Sequence, residues 1–188
     1  MKIVVLGGGS FGTAIANMLA ENGQQSVLWL RNAKRAADMQ ASRENSTYLP
    51  GRQLDEKLVI SSDLAGSLRD ADVVFVSVPS KAFRAMVQNI KPLLMPDAIV
   101  VSTAKGIETG ADHHGFWLMS DVLKQELPDH RIAVLSGPNL AGEIAERQLT
   151  GTVVASSDEA VCAAVQNVLR SPYFRVYSNS DVYGVELG

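Results

Sequence analysis

A glycine-rich turn near the start of the chain constrains the fold more than any other feature. The apolar run Ile3–Leu6 is typical of a buried strand, and it leads at once into the pattern G-x-G-x-x-G, carried by Gly7, Gly9 and Gly12. Residues 10–22 then place apolar side chains at helical spacing. A strand that ends in glycines and opens directly into a helix favours a strand–turn–helix unit of a parallel sheet.

The three glycines have different physical roles in such a turn. Gly7 permits the tight turn after the strand, Gly9 removes a side chain where the backbone would meet a pyrophosphate, and Gly12 lets the helix pack close to the strand. The helix start at Ser10 and Phe11 would present free N–H groups and a partial positive charge to phosphates. These five residues therefore predict a dinucleotide site. The alternative is a glycine turn with a purely structural role.

Apolar, β-branched runs alternate with amphipathic stretches along the rest of the chain. Further strands are predicted at Val27–Leu30, Leu58–Ile60, Val73–Val78, Ala98–Ser102, Ile132–Leu135, Thr152–Ala155 and Phe174–Tyr177. Further helices are predicted over 81–91, with Ser80 as N-cap, and over 116–127 and 158–169. Continuous apolar runs indicate strands covered on both faces. The sequence therefore predicts an α/β fold: a Rossmann-like, doubly wound, mostly parallel sheet with helices on both faces.

Composition excludes several other classes of protein. The chain has 188 residues, of which 46% are apolar and 20% charged, which is a globular balance and not that of a disordered chain. The net charge of -3 does not suggest nucleic acid, and no apolar run approaches the roughly 20 residues that span a bilayer. Cys162 is the single cysteine, and the adjacent His113 and His114 cannot share a face, so neither a disulfide framework nor a metal site is expected. We expect a cytoplasmic protein without integral membrane contact.

The end of the second strand bears on which nucleotide would bind. An NAD site usually has Asp or Glu there, but this chain has Arg31 and Asn32 after Leu30. A guanidinium suits a 2′-phosphate, and Lys34 and Arg35 add positive charge nearby. NADPH is therefore the expected cofactor, with NADH as the second possibility. The alternative is that these are solvated charges at a helix start.

Short motifs in a fixed order now point to a family. They are Gly7–Ala14, Leu28–Arg31, Tyr48–Gly51, Val78–Ser80, Lys105–Glu108, Leu135–Pro138 and Gly184–Gly188. Together they resemble the bacterial-type NAD(P)-dependent glycerol-3-phosphate dehydrogenases over the whole chain. No single motif is decisive, but their order and spacing are specific.

The resemblance implies interconversion of glycerol 3-phosphate and dihydroxyacetone phosphate with NAD(P)H, which serves glycerophospholipid synthesis. Residues 1–188 would be the NAD(P)-binding domain, and 181–188 the start of an all-helical substrate domain whose remainder this chain lacks. The catalytic lysine of the family lies a few residues beyond Gly188, so no catalytic residue is expected here and the chain alone should be inactive. The full-length form is expected to be a homodimer.

The resemblance also assigns site residues. Cofactor positions fall on Ser10, Phe11, Arg31, Asn32, Tyr48, Lys105 and Ala141, and substrate positions fall on Lys105, Gly137 and Asn139. Two of them depart from the family pattern. A basic residue is common at the position of Asn32, which weakens the case for NADPH, and Ser or Thr is usual at the position of Asn139, where an amide can still donate a hydrogen bond.

Two further residues are expected at the carboxyl edge of the sheet, where ligands bind in this kind of fold. Lys105 follows the strand at 98–102, and its ammonium group could hold a substrate oxygen. Pro79 ends the strand at 73–78 and is expected on the nicotinamide side of the cofactor site. Their alternative roles are a surface lysine and a strand terminator.

Two other functions remain compatible with the residues. The chain could be the first domain of another β-hydroxyacid or sugar-phosphate dehydrogenase. It could also be a stand-alone NAD(P)-binding redox sensor.

Overall fold

A central sheet runs through the molecule, in a computed structural model that describes residues 1–109 and 115–188. The strands are β1 (Lys2–Leu6), β2 (Gln25–Trp29), β3 (Glu44–Asn45), β4 (Leu49–Gln53), β5 (Val59–Ser61), β6 (Val73–Val76), β7 (Ile99–Ser102), β8 (Ile107–Thr109), β9 (Phe116–Leu118), β10 (Arg131–Ser136), β11 (Thr150–Ala155) and β12 (Phe174–Asn179). The helices are α1 (Ser10–Glu21), α2 (Ala33–Ser42), α3 (Leu64–Leu68), α4 (Ser80–Ile90), α5 (Met119–Glu126), α6 (Ala141–Ala145), α7 (Glu159–Leu169) and α8 (Val182–Leu187), with a 3₁₀ turn at Lys91–Leu93.

The order of the strands shows a doubly wound sheet. It runs β12-β11-β10-β7-β6-β1-β2-β5, and among the described residues every neighbouring pair is parallel except β10 and β11. The chain builds outward from β1 through β2 to β5, and then returns to place β6 on the other side of β1. The carboxyl ends of β1 and β6 therefore form the switch point where such sheets bind ligands. The predicted fold class is confirmed.

Alternating side chains of the central strands feed two cores, one on each face of the sheet. In β1, Ile3 and Val5 pack on the face covered by α1, α2 and α7, while Val4 and Leu6 pack on the face covered by α4 and α5. All four side chains are fully buried. This two-sided burial explains why the strands read as continuous apolar runs.

Helix α1 ends at Glu21, two residues before Gly23. Gly23 has a φ of +79°, and its N–H donates to the carbonyl of Ala20 at 2.9 Å. A glycine in this left-handed conformation stops the helix and turns the chain into β2.

The thiol of Cys162 is buried on α7, and burial raises its pKa.

Two local predictions are wrong. The helix predicted over 116–127 begins only at Met119, because Phe116–Leu118 pair with Ile107–Thr109 in an antiparallel hairpin. Ser80 is the first helical residue of α4 and not its N-cap, because Pro79 takes the cap position. His113 and His114 lie outside the described residues.

The stretch 181–188 is helical and packs on the sheet domain. Asp181 caps α8, and its carboxylate accepts from the N–H of Gly184 at 2.9 Å. Glu186 on α8 accepts from the N–H of Ser120 in the first turn of α5 at 3.1 Å.

Within residues 1–109 and 115–188, no helix combines the length and the apolarity needed to cross a bilayer.

Candidate functional site

A cavity of about 440 Å³ opens at the carboxyl edge of the sheet, beside the switch point. The glycine turn and α1 form one side of it, and the segments that follow β6, β7 and β10 form the others. Its lining residues are Gly9, Ser10, Phe11, Gly12, Ser77, Val78, Pro79, Thr103, Ala104, Lys105, Leu135, Ser136, Gly137, Asn139, Leu140 and Ala141. The fold therefore brings together nine of the residues expected at the site, from four separate parts of the chain.

The three glycines of the turn differ in what surrounds them. A Cβ on Gly7, whose φ is +125°, would lie 2.3 Å from the carbonyl oxygen of Ser77, and one on Gly12 would lie 2.1 Å from the carbonyl oxygen of Gly7. Both glycines are therefore required by packing. A Cβ on Gly9 would meet no described atom within 4 Å. The open space at Gly9 is what a ligand approaching the backbone needs.

The N-terminus of α1 faces the same cavity. Its first helical hydrogen bond runs from the N–H of Thr13 to the carbonyl of Gly9, so the N–H groups of Ser10, Phe11 and Gly12 precede the helical ladder. Gly9 occupies the cap position and has no side chain to accept from them. These donors and the positive end of the helix dipole suit an anion such as a pyrophosphate.

Besides Gly7, three expected cofactor residues lie outside the cavity lining, toward the end of β2. Arg31 is exposed just after this strand. Asn32 caps α2, and its side-chain oxygen accepts from the N–H of Arg35 at 2.9 Å. Tyr48 is half-exposed, and its ring lies 4.7 Å from the guanidinium carbon of Arg35. Asn32 therefore has a structural role in starting α2, whatever else it contacts.

Lys105 stands at the mouth of the cavity, after β7. Its ammonium group donates to the carbonyl of Gly137 at 3.4 Å, and the side chain is exposed. The next residue, Gly106, has a φ of +111°, and a Cβ there would lie 3.1 Å from the hydroxyl oxygen of Ser80. Glycine at position 106 therefore lets the Lys105 turn lie close against the start of α4.

A charged cluster fixes the hairpin that follows Lys105. Arg84 on α4 donates to Glu108 on β8 at 2.7 Å and to Glu126 at the end of α5 at 2.5 Å. Hydrogen bonding to Glu108 raises the pKa of the Arg84 guanidinium, and the Arg84 bond lowers the pKa of Glu126. The cluster ties the Lys105 segment to two helices on one face of the sheet.

Gly137 and Asn139, the expected substrate positions, lie in the loop after β10. The Thr152 hydroxyl donates to the carbonyl of Ser136 at 3.0 Å, so its oxygen is left to accept from Nδ2 of Asn139 at 2.9 Å. This arrangement determines which way the Asn139 amide points. Its Oδ1 is buried and has no partner among the described residues. The Asn139 oxygen is thus free to accept a hydrogen bond, and one of the two N–H groups on Nδ2 is already used.

Helix α6, which carries Ala141 at the cavity, is held by charged contacts at its far end. Glu146 pairs with Arg52 on β4. Arg147 pairs with Glu21 at the end of α1 at 3.2 Å. These contacts fix the position of Ala141 relative to the glycine turn.

Sequence reasoning missed several residues that shape the site. Ser77 and Thr103 share a hydroxyl hydrogen bond of 2.7 Å between the ends of β6 and β7, and Thr152 orients Asn139. Asn45 is fully buried and donates to the glycine turn. A position directly after two parallel strands could have indicated Ser77 and Thr103. No sequence signal marked Asn45 or Thr152, because their partners are distant along the chain.

The described residues contain no group of three or more His, Cys, Asp or Glu side chains placed to hold a metal ion. The polar groups of the cavity are instead backbone N–H groups, hydroxyls, one amide and the ammonium of Lys105. Such a lining suits an organic anion.

Comparison with known proteins gives a consistent result. A family model described as "NAD-dependent glycerol-3-phosphate dehydrogenase N-terminus" matches residues 2–162. The glycerol-3-phosphate dehydrogenase (NAD(P)+) of Saccharophagus degradans is 55% identical over 186 residues, which are 99% of this chain and 51% of that protein. The protein of the same name from Teredinibacter turnerae is 52% identical over 188 residues, which are 100% of this chain and 54% of that protein.

A solved structure shows the same likeness. The crystal structure of glycerol-3-phosphate dehydrogenase from Coxiella burnetii matches with a TM-score of 0.91 at 36% sequence identity, over 98% of this chain and 55% of that one. The chain spans about half the length of the curated relatives that it matches.

Proposed function

The chain belongs to the NAD-dependent glycerol-3-phosphate dehydrogenase family, and from this premise we propose that it is the nucleotide-binding part of an enzyme that interconverts glycerol 3-phosphate and dihydroxyacetone phosphate. One observation carries the proposal: Gly9 faces open space beside the uncapped N-terminus of α1, while Gly7 and Gly12 are required by packing alone. A purely structural turn would not need a glycine at position 9.

The lining of the cavity fits a nicotinamide dinucleotide. The N–H groups at the start of α1 would hold the pyrophosphate. Arg31 and Tyr48, at the end of β2 and on the hairpin beyond α2, would hold the adenosine end, and Pro79 and Ala141 would border the nicotinamide. When bound, the cofactor supplies or accepts the hydride.

Lys105, Gly137 and Asn139 would hold the phosphorylated three-carbon substrate. The ammonium of Lys105 offers a positive charge at the cavity mouth, where it can stabilise a substrate oxygen or phosphate. The unpartnered Oδ1 of Asn139 would accept from a substrate hydroxyl, because both substrates carry one next to the reacting carbon. This role differs from the donor role expected for Asn139.

The complete enzyme needs more than this chain. The matched relatives are about twice as long, so we assign proton transfer to a lysine in the part that they have beyond this chain. We place the whole protein in the cytoplasm as a homodimer that supplies glycerophospholipid synthesis. The chain alone should bind nucleotide and show no turnover of dihydroxyacetone phosphate.

NADPH is the preferred nucleotide in this proposal, because Arg31 is exposed at the position where an NAD site carries an acid. In Arg31→Asp we expect NADPH to bind at least tenfold more weakly and NADH to bind no worse, since a carboxylate repels the 2′-phosphate and accepts from a ribose hydroxyl. Titration of both nucleotides measures the change. A variant that kept its NADPH preference would overturn the assignment of Arg31.

The function itself is tested by titrating the chain with NADPH and with NADH. Trp29 is buried on β2, so its fluorescence should report nucleotide bound nearby. The chain has two tryptophans, and a Trp117→Phe background leaves Trp29 as the sole reporter. We expect saturable quenching. NADPH should bind at least tenfold more tightly than NADH, a difference of about 1.4 kcal/mol. A lack of binding both by fluorescence and by calorimetry would refute the proposal.

A further inference from the structure

Two side chains hold the carbonyl oxygen of Gly8, and neither they nor Gly8 belong to the cavity lining. Nη2 of Arg35, in the first turn of α2, donates to it, and so does Nδ2 of Asn45 on β3, at 3.1 Å. The same Nδ2 of Asn45 donates to the hydroxyl of Thr13 on α1 at 2.8 Å. We call Arg35 and Asn45 the Gly8 clamp. Together they bind the Gly8 carbonyl from α2 and from β3, and Asn45 also joins this site to α1.

The clamp also sets the direction of the next N–H group. The peptide between Gly8 and Gly9 is planar and trans, so the N–H of Gly9 points opposite to the carbonyl of Gly8. With that carbonyl drawn toward Arg35 and Asn45, the N–H of Gly9 is turned the other way, and Gly9 lines the cavity. We propose that Arg35 and Asn45 are positioning residues that aim the Gly9 N–H at the pyrophosphate of the bound nucleotide.

The turn needs such a clamp because of its own composition. Gly7, Gly8 and Gly9 are consecutive and have no side chains to restrict their backbone, so the peptide between Gly8 and Gly9 could rotate at little steric cost. Two donors on one carbonyl remove that freedom before the ligand arrives, which lowers the entropic cost of binding.

Both clamp residues are themselves held in place. The guanidinium of Arg35 lies against the ring of Tyr48, with 4.7 Å between its carbon and the ring centroid. Asn45 is 1% exposed, and its Oδ1 accepts from the N–H of Tyr48 at 3.3 Å. The clamp therefore connects the pyrophosphate turn with Tyr48, an expected adenosine contact.

This inference rests on the proposed function, and Asn45→Leu tests it. Leucine keeps the approximate volume and removes the donor without changing the net charge. NADPH and NADH should both bind about tenfold more weakly, by the same factor, because the pyrophosphate is common to both. The ratio of their affinities should stay that of the unmodified chain, whereas Arg31→Asp should change it.

A matched control separates positioning from general destabilisation. Asn17 also joins α1 to a distant segment, since its Oδ1 accepts from the N–H of Asp55 at 2.7 Å, but it does not contact the glycine turn. Asn17→Leu should lower the midpoint of urea unfolding, as Asn45→Leu does, and leave the affinity for both nucleotides within twofold. Arg35→Met, titrated at high salt to screen the lost charge, provides a second removal of a clamp donor if Asn45→Leu fails to fold.

The amide resonance of Gly9, measured by NMR without nucleotide, distinguishes failure of the clamp inference from failure of the proposed function. The clamp predicts a shifted Gly9 amide in Asn45→Leu or Arg35→Met and an unchanged one in Asn17→Leu. Clamp variants that bind both nucleotides within twofold of the unmodified chain would overturn the inference. If the unmodified chain bound neither nucleotide, the proposed function would fail, and an unshifted Gly9 amide would then overturn the clamp as well.

Discussion

At the scale of single residues, the glycine turn shows that one sequence pattern can hold residues kept for different reasons. Gly7 and Gly12 are excluded from carrying a side chain by backbone carbonyl oxygens less than 2.5 Å from the would-be Cβ. Gly9 has an ordinary extended backbone, with a φ of −77°, and open space around it. Of the three glycines in the pattern, only Gly9 therefore has no steric requirement for glycine among the described residues, which supports its proposed contact with the nucleotide.

Gly9→Ala and Gly12→Ala should consequently separate binding from stability. We expect Gly9→Ala to change the free energy of unfolding by no more than about 1 kcal/mol and to weaken NADPH binding at least tenfold. Gly12→Ala should lower the free energy of unfolding by about 3 kcal/mol or more, because a backbone oxygen must move. Urea denaturation and NADPH titration measure both effects. A Gly9→Ala chain with full affinity would contradict this account.

At the scale of elements, α8 is joined to α5 through a partly buried carboxylate. Burial raises the pKa of Glu186, and this effect outweighs the opposing hydrogen bonds from the start of α5. The ionised carboxylate is therefore less favourable in the folded chain than in the unfolded one. Docking of α8 should depend on pH.

The direction of this pH dependence follows from the difference in proton binding between the folded and the unfolded chain. Because the pKa of Glu186 is higher in the folded chain, its contribution to stability is fully present below the unfolded value of about 4.3 and is lost as pH rises through the folded value. Glu186→Gln should lack this component of the pH dependence. Urea denaturation of both chains at a series of pH values, with hydrogen exchange in α8 as the local probe, measures it. Equal pH dependence in the two chains would show that Glu186 is not responsible.

At the scale of the whole molecule, ligand binding and folding should be coupled. The cavity is built from the glycine turn and from the segments after β6, β7 and β10, so a nucleotide bound there would contact parts of the chain that only the folded state brings together. A ligand that binds only the folded chain raises its stability by mass action.

NADPH at about 100 times its dissociation constant should therefore add about 2.7 kcal/mol to the free energy of unfolding. For a chain of this size, that corresponds to a rise in Tm of roughly 5–11 °C. Differential scanning calorimetry with and without nucleotide measures the shift, and NADH at the same concentration should give a smaller one. An unchanged Tm with NADPH would argue that the nucleotide does not bind this chain.

Much of the architecture could be predicted because it depends on local pattern. Val73–Val76 consists of valines and one phenylalanine, and Ile99–Ser102 begins with three β-branched apolar residues, so their identity as buried strands does not depend on distant residues. The error at Phe116–Leu118 has the opposite origin. These residues have a pattern compatible with a helix, but pairing with Ile107–Thr109 makes them a strand.

The doubly wound class, the glycine turn and the positive charge of Arg31 could all be predicted from the sequence, because each follows from neighbouring residues or from a spacing within a single unit. The tertiary structure decided which side chains meet. It brought Asn45 into hydrogen-bond contact with Gly8, which lies 37 positions earlier in the chain. It likewise paired Thr152 with Asn139, and Glu108 with Arg84. These contacts depend on how separate elements pack against one another, and since a hydrogen bond requires donor and acceptor within about 3 Å, no local pattern specifies them.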